Sequence, residues 1–167
     1  MMNSTHNIWT KIVQKLIQKN LTISTMESCT GGGVVNEITN ISGASSVLKE
    51  SYVTYCNEAK IKQGVSPEII EKFTVYSKET SAEMAKAVKK KANSDIGIGI
   101  TGQLGRIDPN NPSDTLNTVW FSIIYNNNLI SKKIKVDNCE RKLQKDIVIN
   151  SIANTLYELI KKITNRI

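Results

Sequence analysis

With 167 residues, 40% of them hydrophobic, the chain can bury one substantial core, and a single domain over residues 1–167 is expected. It opens Met-Met-Asn-Ser-Thr-His-Asn-Ile-Trp-Thr, without a basic start and apolar run, and no apolar stretch is long enough to cross a bilayer; a cytoplasmic protein is expected. The net charge of +7 suits an anionic ligand, but the lysines gather at residues 86–91 and 132–145 as solvated faces, and only 5% of residues are aromatic, which disfavours nucleic-acid binding.

Ile8, Trp9, Ile12, Val13, Leu16 and Ile17 recur at helical spacing, and Asn20 ends that helix before a β-prone run at 21–25. After Gly31-Gly32-Gly33, the residues Val34, Val35, Ile38 and Ile41 mark a short amphipathic helix, and residues 47–55 supply the second strand of a βαβ unit. Ser66-Pro67 starts a helix to Phe73. Thr80-Ser81-Ala82-Glu83 resembles a capping box opening a helix to about Asn93. Residues 95–101 alternate small and apolar, as a strand does when helices pack closely on it. Residues 108–114, rich in Pro, Asn and Asp, read as a loop inside the domain. Asn126-Asn127-Asn128 joins strands at 118–125 and 129–136 as a hairpin. A last helix over 140–163 presents Leu143, Ile147, Ile152, Leu156, Ile160 and Ile163 as one stripe. The expected fold is α/β: a three-layer α/β/α sandwich with a mixed, mostly parallel sheet. The stripe, with an exposed Trp9, would offer a homodimer its interface.

If the strands at 21–25, 47–55 and 95–101 run parallel, the loops after them share one edge of the sheet. The first is Glu27-Ser28-Cys29-Thr30-Gly31-Gly32, a strand-to-helix turn whose N–H groups stand at the positive end of a helix dipole, ready for a phosphate or an oxyanion. The plain alternative makes Ser28 or Thr30 an N-cap and the glycines a tight turn. The string is neither GxSxG nor a P-loop. The second loop is Tyr55-Cys56-Asn57-Glu58-Ala59-Lys60, where Asn57 caps a short helix and Lys60 lies on its first turn, a place where lysine is ordinarily exposed. The third is Thr101-Gly102-Gln103-Leu104-Gly105-Arg106.

A serine nucleophile needs a base, and the only histidine is His6 in the N-terminal segment, poor material for a Ser-His-Asp triad. Lysine serves instead if partial burial and neighbouring cations lower its pKa. Cys29, beside Ser28 at a helix N-terminus that favours its thiolate, is the rival nucleophile, and a buried Cys29 is the alternative to that. Cys29, Cys56 and Cys139 are an odd set without CxxC spacing, so they read as free thiols and form no metal site.

The three loops in this order, with Thr118-Val119-Trp120, closely resemble the C-terminal domain family of competence/damage-inducible protein CinA, which includes nicotinamide mononucleotide deamidases. The resemblance runs from Leu21 through Arg141 and less clearly beyond. It implies hydrolysis of the nicotinamide mononucleotide carboxamide to nicotinic acid mononucleotide and ammonia, with no metal and no cofactor. It further implies Ser28 as nucleophile, Lys60 as base, Tyr55 and Thr101 as supporting groups and Arg141 as a substrate contact. Around these, Glu27, Cys29, Thr30, Gly31, Gly32, Asn57, Gly102 and Gly105 are expected to contact substrate, and Arg106 or Arg141 to pair with its phosphate. The chain departs from the family pattern in the bulkier stretch Gln103-Leu104-Gly105-Arg106-Ile107-Asp108-Pro109 and in Asn117, where a glycine is usual. Lacking the family's separate N-terminal domain, it is expected to have no pyrophosphatase activity. A non-catalytic nucleotide-binding or regulatory module is the competing reading, and a DNA-binding protein using the +7 charge is the third.

Overall fold

The structure is a computed structural model that describes residues 4–163, with side chains from Ile8 onward; His6 lies outside the described side chains. Helix α1 (Ser4–Gln18) buries Trp9, Ile12, Val13 and Leu16 on one face. It stops at Asn20, whose φ of 51° is a left-handed conformation asparagine tolerates, so that Leu21 N–H returns to Leu16 O at 2.9 Å. The chain continues through β1 (Ile23–Glu27), α2 (Gly33–Thr39), a short 3₁₀ turn at Ala44–Ser46 and β2 (Leu48–Val53). Helices α3 (Asn57–Lys62), α4 (Pro67–Phe73) and α5 (Lys78–Ala92) follow, then β3 (Ile96–Gln103), β4 (Thr118–Tyr125), β5 (Asn128–Lys135) and α6 (Arg141–Lys162).

The five strands lie in the order β2-β1-β3-β4-β5, with β1 parallel to β2 and β3, and β4 antiparallel to β3 and β5. Four strands therefore point one way and β4 the other, which is the mixed, mostly parallel sheet expected. Helices α1, α2 and α6 cover one face over the main core. Helices α4 and α5 cover the other over a smaller cluster of Met26, Val65, Met84 and Val88.

The pleat of β3 divides its residues between these layers. Ile96, Ile98 and Ile100 enter the main core, while Gly97 and Gly99 lie under α5. A Cβ on Gly99 would stand 2.2 Å from Ser81 O and 2.7 Å from Met84 Cβ, so the helix approaches the strand backbone only because no side chain intervenes. Gly99→Ala is expected to cost about 2–3 kcal/mol through forced separation of α5 from the sheet, read as a lower urea midpoint at unchanged slope. An unchanged midpoint would show that α5 moves away freely.

Several element boundaries and faces differ from the sequence reading. Helix α5 is capped by Ser77, whose Oγ accepts Thr80 N–H at 3.1 Å; Thr80 sits in the first turn and gives its hydroxyl to Thr74 O. Tyr125 pairs with Asn128, so the hairpin turn is two residues, with Asn126 at φ 52°. Leu143 and Ile147 face outward on α6, where Gln144 and Val148 are buried instead. Trp9 is completely buried and offers no surface to a partner.

Candidate active site

The C-terminal ends of β1, β2 and β3 share one edge of the sheet, and the reversal of β4 brings Asn117 and the start of α6 to that edge as well. At the end of β1, Ser28 N–H donates to Ile100 O at 3.1 Å, tying the turn to β3. Glu27 is wholly buried, and its carboxylate accepts Thr30 Oγ1 at 2.7 Å, Val34 N–H at 3.1 Å and Val35 N–H at 2.9 Å. The acid side chain therefore occupies the N-terminus of α2, where an anion is best stabilised, and it does not border the cleft described below. Gly31 N–H is spent on Ser28 O, whereas Cys29 N–H has no backbone acceptor among the described residues.

The turn after β2 brings the lysine. Cys56, not Asn57, is the N-cap of α3, and Thr54 N–H donates to Glu27 O at 2.8 Å, locking the two turns together. Lys60 points back beneath them and is only 1% exposed. Its Nζ donates to Thr54 O at 2.9 Å and lies 3.4 Å from Ser28 Oγ. Burial pulls the ammonium from the ordinary 10.5 down to about 8, against a smaller upward pull from Cys29, Cys56, Asp108 and Glu58. Loss of water is the largest cause of this lowering, and the charges named around the amine all pull it upward. Cys29 goes the other way. Burial pushes its thiol up to about 12 despite Arg141 nearby, so the thiolate expected at a helix N-terminus does not form at neutral pH.

Ser28 and Cys29 open onto a cleft of about 830 Å³. Of the other residues singled out in the sequence, Tyr55, Asn57, Gly102, Gly105, Arg106 and Arg141 border it. Glu27, Thr30, Gly31, Gly32, Lys60 and Thr101 do not; Lys60 stands behind Ser28, and Thr101 is buried with its hydroxyl on Val75 O at 2.8 Å. Arg141 closes one side by donating to Leu104 O and, at 3.0 Å, to Tyr55 OH.

The opposite wall joins Asn57 to three residues that the sequence reading does not single out as site residues, Tyr76, Asp108 and Asn111. Asp108 accepts Tyr76 OH at 2.6 Å and Asn111 Nδ2 at 2.8 Å, and Asn57 Nδ2 donates to Asn111 Oδ1 at 2.9 Å. These bonds hold the Asp108 carboxyl below its usual range, and burial with the Asp108 bond lifts the Tyr76 phenol well above its own. One local signal was available: Asn110 N–H donates to Asp108 Oδ1, the Asx turn that Asp-Pro-Asn favours. Gln103 braces the same loop through Ser113 Oγ at 2.6 Å and Asp108 N–H at 3.0 Å. Among the described residues no group of three or more His, Cys, Asp or Glu is gathered to hold a metal ion, and no helix is long and apolar enough to cross a membrane.

A mixed-sheet α/β/α sandwich with a polar cleft at the C-terminal edge of its parallel strands, and a buried lysine behind a serine there, defines the class of protein. The chain belongs to the CinA C-terminal domain family, whose model matches residues 5–163. It is 40% identical over 136 residues to a CinA-like protein of Kosmotoga olearia, covering 80% of this chain and 33% of that protein. It thus spans about a third of the length of that relative. Among solved structures, the competence-damaged protein (CinA) superfamily protein of Escherichia coli superposes with a TM-score of 0.84 at 25% identity, over 93% of this chain and 90% of that one. A Klebsiella pneumoniae member of the superfamily shares the fold with a TM-score of 0.86 at 22% identity, over 95% and 99% of the two chains.

Proposed function

We propose that this protein is a metal-independent amidohydrolase that converts nicotinamide mononucleotide and water to nicotinic acid mononucleotide and ammonia. The observation that carries the reading is the buried Lys60 amine, 3.4 Å from Ser28 Oγ, with burial bringing its pKa to about 8. Such an amine is neutral in about a tenth of molecules at pH 7, enough to act as a base. Ser28 Oγ attacks the carboxamide carbon as its proton passes to Lys60 Nζ. The Cys29 N–H supports the developing oxyanion. Lys60 then protonates the departing nitrogen, ammonia leaves, and water, deprotonated by the same amine, releases the acid from Ser28. Thr54 O keeps Nζ aimed throughout. Arg106 and Arg141, the cations bordering the cleft, serve the nucleotide phosphate.

Ammonia release by chelator-treated protein is the test. Ser28→Ala and Lys60→Ala are expected to abolish it, and Cys29→Ala to leave it largely intact, because a thiol held near 12 supplies no nucleophile. Since the neutral amine is the active form, kcat/KM should rise with pH, inflect near 8 and level above it. Nucleotide binding without ammonia release by the wild type would favour the binding-module reading.

A further inference from the structure

The peptide unit between Leu104 and Gly105, on the cleft wall, is gripped at both ends. Its carbonyl accepts Arg141 Nη1, and its N–H donates to Asn117 Oδ1 at 2.9 Å. The same Oδ1 accepts Gln144 Nε2 at 3.1 Å, and that Nε2 also donates to Asp137 O at 3.0 Å. Both partners of Nε2 are acceptors, so the Gln144 amide has one orientation, which leaves its Oε1 a buried acceptor with no partner among the described residues. An orphan of this kind is retained where the other contacts of the group require it.

Asn117 serves the clamp with its backbone as well. Its φ of 55° is left-handed, and its carbonyl accepts Val136 N–H at 2.9 Å. Asparagine thus satisfies the conformation that a glycine would, and adds a side-chain acceptor that glycine lacks. Gln144 lies three residues after Arg141 on α6, hence on the same face of the helix. Neither Asn117 nor Gln144 borders the cleft, whereas Leu104, Gly105, Arg141 and Tyr55 all do.

We propose that Asn117 and Gln144 are positioning residues: by fixing the Leu104–Gly105 peptide they orient the Arg141 guanidinium, and so set where an anionic group of the substrate is held. The inference rests on the reading of the cleft as a nucleotide-amide site. Without the clamp the peptide turns, its carbonyl leaves Arg141, and the guanidinium swings on its long stem. The loss falls on substrate binding, because Ser28 and Lys60 are held by other loops.

Asn117→Gly keeps the left-handed backbone and deletes the acceptor; Asn117→Asp keeps both, since the clamp uses only the side-chain oxygen. Asn117→Gly is expected to raise KM for nicotinamide mononucleotide about tenfold, the worth of one good hydrogen bond, with kcat changed less than about twofold. The Gly105 amide should lose its protection from hydrogen exchange in the same variant. Asn117→Asp should restore both readouts, and Gln144→Leu should raise KM in the same direction. A Gly105 amide still protected in Asn117→Gly, or an unchanged KM once that amide is free, overturns the proposal. If the wild type releases no ammonia, the nucleotide-amide reading fails, and Gly105 exchange, which needs no substrate, still decides whether the clamp exists.

Discussion

Replacing Lys60 by methionine is expected to reduce ammonia release at least about 1000-fold and, in the same protein, to raise the melting temperature at pH 7. The first effect follows from loss of the base 3.4 Å from Ser28 Oγ. The second follows from linkage. The amine has a pKa of about 8 in the folded chain and the ordinary 10.5 when unfolded, so below pH 8 the folded state carries a charge it disfavours. At about 1.4 kcal/mol per pH unit, that interval withholds about 3 kcal/mol of stability. Methionine fills similar space without the charge but gives up the bonds to Thr54 O and, longer, to Ser28 Oγ, together worth about 1–2 kcal/mol, leaving a net gain of about 1–2 kcal/mol, or about 2–8 °C. The sign with pH is fixed. Between 8 and 10.5 the unfolded chain binds more protons than the folded one, so wild-type stability climbs through this window and the advantage of Lys60→Met shrinks. Melting curves of both proteins at pH 7 and pH 10 read this directly. A variant no more stable than wild type, with a difference that ignores pH, would mean that Lys60 is not held in a desolvated site.

Glu27→Ala should destabilise the fold by about 4 kcal/mol and remove activity with it. The carboxylate has no exposure and satisfies Val34 N–H, Val35 N–H and the Thr30 hydroxyl; alanine leaves all three without that partner and opens a cavity under the turn that carries Ser28. Glu27→Gln is expected to recover only part of the loss. Both carboxylate oxygens receive donors, and an amide turns one of those acceptors into a donor. Urea unfolding of the two variants beside ammonia release makes the comparison. A Glu27→Ala protein with the wild-type urea midpoint would show that α2 needs no internal cap.

The elements most legible in the sequence are those set by local chemistry. Asn20 stops α1, the strand at 118–125 is found residue for residue, and the alternating glycines of β3 announce a close helix. The α6 stripe is buried at Ile152, Leu156, Ile160 and Ile163 and misleads only at its start, where the helix serves the cleft: Arg141 and Gln144 take the inward face, and Leu143 and Ile147 turn to solvent. At the site, the turn containing Ser28 is readable as a strand-to-helix junction, and the three loops are readable as neighbours. The inward course of Lys60 is not readable, because the atoms that hold it, Thr54 O and Ser28 Oγ, meet it only after β1 and β2 pair. The pairing of Tyr76 and Asn57 with the Asp108–Asn111 loop is hidden for the same reason: three separate segments form that wall only in the folded chain.

The two outer strands give the surplus of lysine a second meaning. Strands β2 and β5 each present a backbone edge that no other described strand covers. On β5 the side chains of Lys132, Lys133 and Lys135 stand exposed, and on β2 those of Lys49 and Glu50 do the same. A second molecule aligning its own β5 edge against β5 would bring like charges together and strip water from them, which disfavours sheet-to-sheet pairing at that edge. The positive balance that composition first offers as a lure for anions thus also acts, along β5, as an insulator against extension of the sheet.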